Sequence, residues 1–421
     1  MLAGRNPAHI LFLFFTLFMH LESAAENPQT ISDRFQIPDA MTARAVYSLN
    51  GTWDIAPIMQ GWPLPDHTQK PDYQINALRI PCSYNRVDEH AFPSEWKKAN
   101  HAWFRKMLVA PANLNGKRIR VTFQGVAQTA RVFCNGVFLT EHEGAYMPFS
   151  VDLTDQLKLG EENSLEVLAL GKESVWMRDE AGNKIEIGGR DHFQARFPYS
   201  TGYDVSGIWD DVSLEILSPT YLEQPIITTS VVERKISITP KLSQGAPTGS
   251  SLELEVLQDG NVVLTFGSRP FAGVSTFTVA KAWQDPILWN PDNPHLYTLR
   301  QRLSINGELQ DERLDTFGFR QVEMRGTDFY LNDRPVRPLG ISLERGYGSD
   351  LTLSLAYFRS YLTMVKQAGF NTVRVHRAPI RPALLDMCDE MGILVEAEAP
   401  LFNNSASSLK HPGYREAAKA F

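Results

Sequence analysis

Asn371-Thr372-Val373-Arg374-Val375-His376 reads as a buried strand whose polar groups gather at its C-terminal end. Just downstream, Pro382 stands at a helix start, Leu384, Leu385, Cys388 and Met391 form an apolar stripe, and Gly392 ends it. A second β run follows, Ile393-Leu394-Val395-Glu396-Ala397-Glu398. Upstream, Leu355, Phe358, Leu362 and Val365 repeat at helical spacing, and Gly369 is placed as a C-terminal cap. Strand, helix, strand, helix, strand at this spacing means parallel βαβ units, with strands predicted near 335–341, 371–375 and 393–396. This is the rhythm of a (β/α) barrel, which needs about 250 residues. Only 94 residues run from Asp328, where it is expected to begin, to Phe421. The expectation is therefore the N-terminal part of a TIM barrel, cut within that domain.

Moving outward, the preceding chain reads as all-β. Arg118-Ile119-Arg120-Val121-Thr122-Phe123 alternates, and Ala130-Arg131-Val132-Phe133-Cys134 is closed by Asn135-Gly136, a pair that tolerates the positive φ of a tight hairpin. Leu165 to Leu170 and Val212 to Ile216 continue the pattern to about residue 218. Pro219 and Pro225 bracket an expected linker. From 219 to 323, period-2 runs at Lys235–Thr239 and Leu252–Leu257, with hairpin signals at Asp259-Gly260 and Asn306-Gly307, fit an immunoglobulin-like sandwich without its Cys-Trp-Cys core. The fold class is thus multidomain, β then α/β, with boundaries at 1–25, 26–218, 219–323 and 324–421.

The first 25 residues have their own reading. A short basic start is followed by the apolar run Ile10 to Met19 and by Ser23-Ala24-Ala25, the build of a cleavable secretory signal. The run is about half of the ~20 residues a spanning helix needs. An exported protein is expected, periplasmic or extracellular, with no membrane partner after cleavage. The net charge of −7 argues against a nucleic-acid partner, which calls for a basic field. Three scattered cysteines, Cys82, Cys134 and Cys388, make no disulfide framework and read as core thiols, with a single Cys82–Cys134 bridge left open. No Cys/His pair has zinc-ligand spacing, and no cofactor is expected.

Several segments, in order, resemble glycoside hydrolase family 2, which includes β-galactosidases, β-glucuronidases and β-mannosidases. They include Ser48-Leu49-Asn50-Gly51-Thr52-Trp53, His101-Ala102-Trp103-Phe104-Arg105, Val132-Phe133-Cys134-Asn135-Gly136 and Ser206-Gly207-Ile208-Trp209-Asp210-Asp211-Val212. Leu288-Trp289-Asn290-Pro291 and Phe329-Tyr330-Leu331-Asn332-Asp333-Arg334-Pro335-Val336 continue them. The residues themselves read as scaffold. Trp53, Trp103, Trp209 and Trp289 are candidates for sandwich cores, with sugar platforms as the alternative. The resemblance implies a sugar-binding, jelly-roll-like first sandwich and retaining hydrolysis of a β-glycosidic bond by two glutamates about 5–5.5 Å apart. It places those glutamates on the fourth and seventh barrel strands, after Phe421 in this reading, so no catalytic residue is assigned within the chain.

What remains is a substrate-binding flank. The resemblance implies that Arg374 holds the nucleophile carboxylate ionised through a charge-assisted hydrogen bond. It puts Glu398 at the acidic end of the third strand, against an ion pair with Arg374 or Arg377 as the plainer reading. His376 falls one place early for the family's histidine and is either a sugar-hydroxyl contact or a structural hydrogen bond. Asp204, in the loop before Ser206-Gly207-Ile208-Trp209, is either a sugar contact or a turn former. Phe402 stands where some β-galactosidases carry a metal-binding glutamate, so no magnesium of that kind is expected. The partner is then a β-linked oligosaccharide or glycoside, most often a galactoside. A homo-oligomer or a separately encoded C-terminal half is left open. The alternative from another class is a non-catalytic carbohydrate-binding or assembly module of two sandwiches.

Overall fold

The computed structural model describes residues 32–38, 43–58, 72–82, 99, 101–127, 129–170, 177–178, 184–185, 207–343, 354–375 and 380–398. The first body is a sandwich. One sheet runs Gln74–Ile80, Gly51–Ile58, His101–Val109, Glu162–Leu170, Thr129–Cys134 and Val137–Glu143, with Arg34–Gln36 added parallel to the His101–Val109 strand. The facing sheet runs Phe149–Asp152, Arg118–Phe123, Val212–Leu217 and Ala45–Ser48. Alternation in the sequence becomes alternation in burial: Ile119, Val121 and Phe123 point inward from the Arg118–Phe123 strand while their neighbours are half-buried. Trp53, Phe104, Val132, Leu165 and Leu214 fill the space between the sheets. Asn135 and Gly136 take φ of 52° and 78° and close the predicted hairpin.

The second body is a seven-stranded antiparallel sandwich. Leu222–Ser230, Lys235–Leu242 and Val279–Ala282 face Asn261–Pro270, Ser250–Gln258, Tyr297–Ile305 and Glu308–Phe317. The linker expected between Pro219 and Pro225 is shorter than read. Pro225 lies inside the edge strand Leu222–Ser230, where the pairing register shifts between Glu223 and Ile226. A proline lacks the N–H a regular ladder needs, and a bulge in an edge strand removes that need.

Between this sandwich and the α/β unit, Val322–Arg325, Asp328–Leu331 and Arg334–Val336 form an antiparallel meander. Its second turn places the non-glycine pair Asn332 and Asp333 at φ of 54° and 64°. The first parallel strand is therefore Gly340–Leu343, not 335–341, because residues 334–336 pair backward with Asp328–Leu331. The α/β unit follows as Gly340–Leu343, helix Leu355–Gln367, strand Thr372–Val375, helix Pro382–Met391 and strand Leu394–Ala397, the three strands parallel and in sequence order. The second helix departs from its predicted stripe. Leu384, Met387 and Cys388 are buried, while Leu385 is 39% exposed.

The helix-covered face of this sheet does not stand apart. Leu343, Val373, Val375, Phe358, Leu362, Leu384 and Cys388 share one apolar cluster with Ala127, Ala145, Tyr146 and Trp209 of the first sandwich. All four tryptophans expected in sandwich cores are buried, Trp53, Trp209 and Trp289 at most 1% exposed and Trp103 5%, but only Trp53 lies in the main core between sheets, whereas Trp209 packs with the α/β unit and Trp289 donates to Asp389 of its second helix. The three cysteines are free thiols. Burial pushes Cys134 up to about 11 and Cys82 and Cys388 up to about 12, so none is a ready nucleophile at neutral pH.

Candidate active-site flank

Parallel register aligns Ser342, Arg374 and Glu396 across the three strands. Residues opposite one another in a sheet share a face, and Leu343, Val373 and Val375 occupy the other face, against the helices. The polar row therefore lies on the side of the sheet away from the helices. Glu398, two positions beyond Glu396, continues it past the C-terminal strand end.

Arg374 is the hub of this row. Its Nη2 meets Glu398 Oε1, and its Nε lies 3.6 Å from Glu396 Oε1. Side-chain exposure is 37% for Arg374, 65% for Glu396 and 24% for Glu398. Ion pairs this open contribute about 0–1 kcal/mol, so stability alone does not account for the arrangement. The ion pair between Glu398 and Arg374 is thus present. Chemically the row offers a planar cation with five N–H donors, two carboxylates as acceptors, and the buried Ser342 hydroxyl, which has no partner among the described residues. Those groups suit the hydroxyls of a sugar or a further carboxylate. His376 and Asp204 lie outside the described residues.

Sequence reading missed a buried pair beside this flank. Arg381 Nε donates to Asp210 Oδ2 at 2.6 Å and its Nη2 donates to Asp210 Oδ1, with both side chains 3% exposed. Asp210 Oδ1 also accepts the Asp211 backbone N–H at 2.7 Å. The Arg381 guanidinium sits 5.6 Å from the Trp209 ring centroid. Trp209 in turn donates its indole N–H to the Ala145 carbonyl at 2.7 Å, with Tyr146 edge-on at 5.0 Å. Gly125 lets the indole come this close: a Cβ there would stand 2.7 Å from the ring. The partners are 171 residues apart, and the one local hint was an arginine at a helix N-cap, where a short polar side chain is preferred.

A second interdomain pair sits at the other end of the same helix. Arg320 of the second sandwich donates to Asp389 Oδ1 at 2.7 Å while stacking 4.4 Å over Trp289, whose indole N–H donates to the Asp389 carbonyl at 2.7 Å. Gly318 leaves room for the Trp289 side chain, which a Cβ there would meet at 2.8 Å. The helix Pro382–Met391 is thereby tied at its start to one sandwich and near its end to the other.

Comparison with known proteins agrees with this architecture. Residues 46–218 match the model described as "Glycosyl hydrolases family 2, sugar binding domain", and residues 220–320 match "Glycosyl hydrolases family 2". A β-galactosidase of Thermoanaerobacter pseudethanolicus is 26% identical over 329 residues, 76% of this chain and 41% of that protein. A β-galactosidase of Bacteroides ovatus is 29% identical over 310 residues, 70% of this chain and 34% of its own length. The chain thus spans less than half the length of these two relatives. Among solved structures, a Lactobacillus rhamnosus β-glucuronidase superposes with a TM-score of 0.68 at 21% identity, covering 91% of this chain and 63% of that one. From the two family models matched in succession over residues 46–218 and 220–320, the chain belongs to the family 2 glycosyl hydrolases.

Proposed function

We propose that this chain contributes two sandwiches and the first three strands of a (β/α) barrel to a retaining β-glycosidase, with a β-galactoside as the first substrate to test. Its domains divide at residues 218/219 and between the second sandwich's last strand, which ends at Phe317, and the meander that opens with Val322, ahead of the 323/324 boundary expected from sequence. The acid/base and nucleophile glutamates stand on barrel strands after the third. Arg374, Glu398, His376 and Asp204 belong to the sugar-binding flank. The apolar run at Ile10 to Met19, followed by Ser23-Ala24-Ala25, supports export of the protein.

The observation that carries this reading is the Ser342–Arg374–Glu396 row with Glu398 at its end. It lies on the sheet face that a closed barrel turns inward, at the strand ends where barrels build their sites. Arg374 has donors enough to bind Glu398 and still orient a second carboxylate on a neighbouring strand. In a two-glutamate mechanism that second carboxylate must stay ionised to attack the anomeric carbon, and a guanidinium beside it keeps it so.

The test is an assay of the full-length gene product on aryl β-D-galactoside, β-D-glucuronide and β-D-mannoside. Hydrolysis of the galactoside with retained anomeric configuration is expected, and Arg374→Ala should lower kcat by about 100-fold. The 421-residue chain on its own is expected to leave all three intact. A full-length product that binds glycans but cleaves none of the three would establish the binding-module reading instead.

A further inference from the structure

We propose that Asp210 and Arg381 are a positioning pair, which sets the first sandwich against the strand ends that carry Arg374 and Glu398. The inference rests on the proposed glycosidase reading and adds to it two residues that need not touch substrate. Four observations carry it.

The pair is buried and bidentate, and it joins two different bodies of the molecule. It also sits at the correct end. Arg381 is the N-cap of the helix that follows the Thr372–Val375 strand, so it lies at the C-terminal side of the sheet, where Arg374 and Glu398 meet.

Arg381 is moreover a poor choice for its local position. Its side chain makes no cap hydrogen bond, whereas Ser354 caps the preceding helix by accepting from Tyr357 N. A cation at a helix N-terminus also opposes the helix dipole. Local helix stability does not select this residue; the bond to Asp210 does.

Finally, the pair is close in sequence to both proposed contacts that lie outside the described residues. Asp204 precedes Asp210 by six positions, and His376 precedes Arg381 by five.

The physical role follows. The strand ends and the first sandwich share a core through Trp209, Tyr146, Val375 and Leu384. Apolar contacts are non-directional and permit sliding. A two-bond fork between a planar guanidinium and a carboxylate is directional and fixes one register. Loss of the fork lets the two walls of the site shift relative to each other. A shift near 1 Å between reacting groups is enough to cost about 100-fold in rate.

The experiment uses the full-length protein and the aryl β-D-galactoside. Arg381→Lys keeps the cation facing Asp210 but loses the fork. Asp210→Glu keeps the carboxylate but displaces it. Arg320→Lys, at the opposite end of the same helix, is the control. The expected result is a kcat about 10- to 100-fold lower in R381K and D210E with KM within about threefold, and kcat within about twofold of wild type in R320K. Folding is read in parallel by near-UV circular dichroism and the thermal midpoint.

Folded R381K and D210E with full kcat would overturn the positioning role. An equal loss in R320K would reduce it to general loosening of interfaces and overturn it as well. Unfolding of both R381K and D210E would assign the pair to stability alone. Wild-type protein inactive on every glycoside tested would instead sink the glycosidase reading, and this inference with it.

Discussion

His142 shows how one half-buried ring couples the fold to pH. Its imidazole stacks on Phe149 at 4.2 Å between centroids and 13° between planes. Its Nε2 is buried with no partner among the described residues. Burial disfavours the charged form and holds its pKa below the usual 6.5, outweighing the opposing pull of the Gly144 and Met147 backbone. As pH falls through 6.5 the unfolded chain takes up a proton that the folded chain refuses, so stability falls with it. The urea midpoint should therefore drop between pH 7.5 and pH 5.5. His142→Phe, which keeps the stack, should flatten part of that slope; an unchanged slope in the variant would remove His142 from the account. At this scale the sequence is legible where the rule is local. Asn135-Gly136, Asp259-Gly260 and Asn306-Gly307 all take the positive φ their turns require. Arg374 was pointed to by the family resemblance, and the parallel register is what sets it level with Ser342 and Glu396. The Asp210–Arg381 bond was not legible, because nothing within either residue's own segment names a partner 171 positions away.

Elements were read well in type and less well in orientation. Both helices of the α/β unit lie where spacing and caps put them, yet the second presents Leu384, Met387 and Cys388 to the core instead of Leu385. A stripe at i, i+3, i+4 and one rotated by a residue score alike in a ten-residue helix that is apolar on two sides. Leu385 instead faces a cleft of about 450 Å³, shared with Trp289, Arg320 and Phe329. In the 421-residue chain, Leu385→Gln should change stability by less than about 0.5 kcal/mol. Met387→Ala should cost about 2–5 kcal/mol, through lost burial and the cavity left behind. Urea unfolding of the two variants side by side checks this, and equal losses would mean the stripe was read correctly from sequence. The first parallel strand was placed five residues early for a related reason: Arg334–Val336 has the same β character as Gly340–Leu343, and only pairing direction separates them.

Across the whole molecule, the succession of β-sheet bodies and then a parallel α/β unit was legible, while the joints between them were not. The sandwich-to-sandwich joint is another arginine. Arg44 donates to both Asp311 oxygens at 2.9 and 2.8 Å and lies 3.1 Å from Glu215, which Arg120 also holds at 2.6 Å. The Asp311 side chain is fully buried, so its loss of Arg44 leaves a charge in low dielectric. Arg44→Ala should cost about 3–5 kcal/mol. It should also split calorimetric unfolding into separable transitions for the two sandwiches, where wild type shows merged ones; a single unshifted peak would contradict this. The interface residues are individually unremarkable arginines and aspartates, and their pairing is a property of the assembled bodies.

The helix held at both ends has a bearing on ancestry and engineering. Asp210 comes from one sandwich, Arg320 from the other, and both grip the segment 381–389. A chimaera that borrows its first sandwich from a relative imports a different partner for Arg381 unless Asp210 travels with it. The two positions are therefore expected to be inherited together, as a matched lock and key, even though they stand 171 positions apart in the chain.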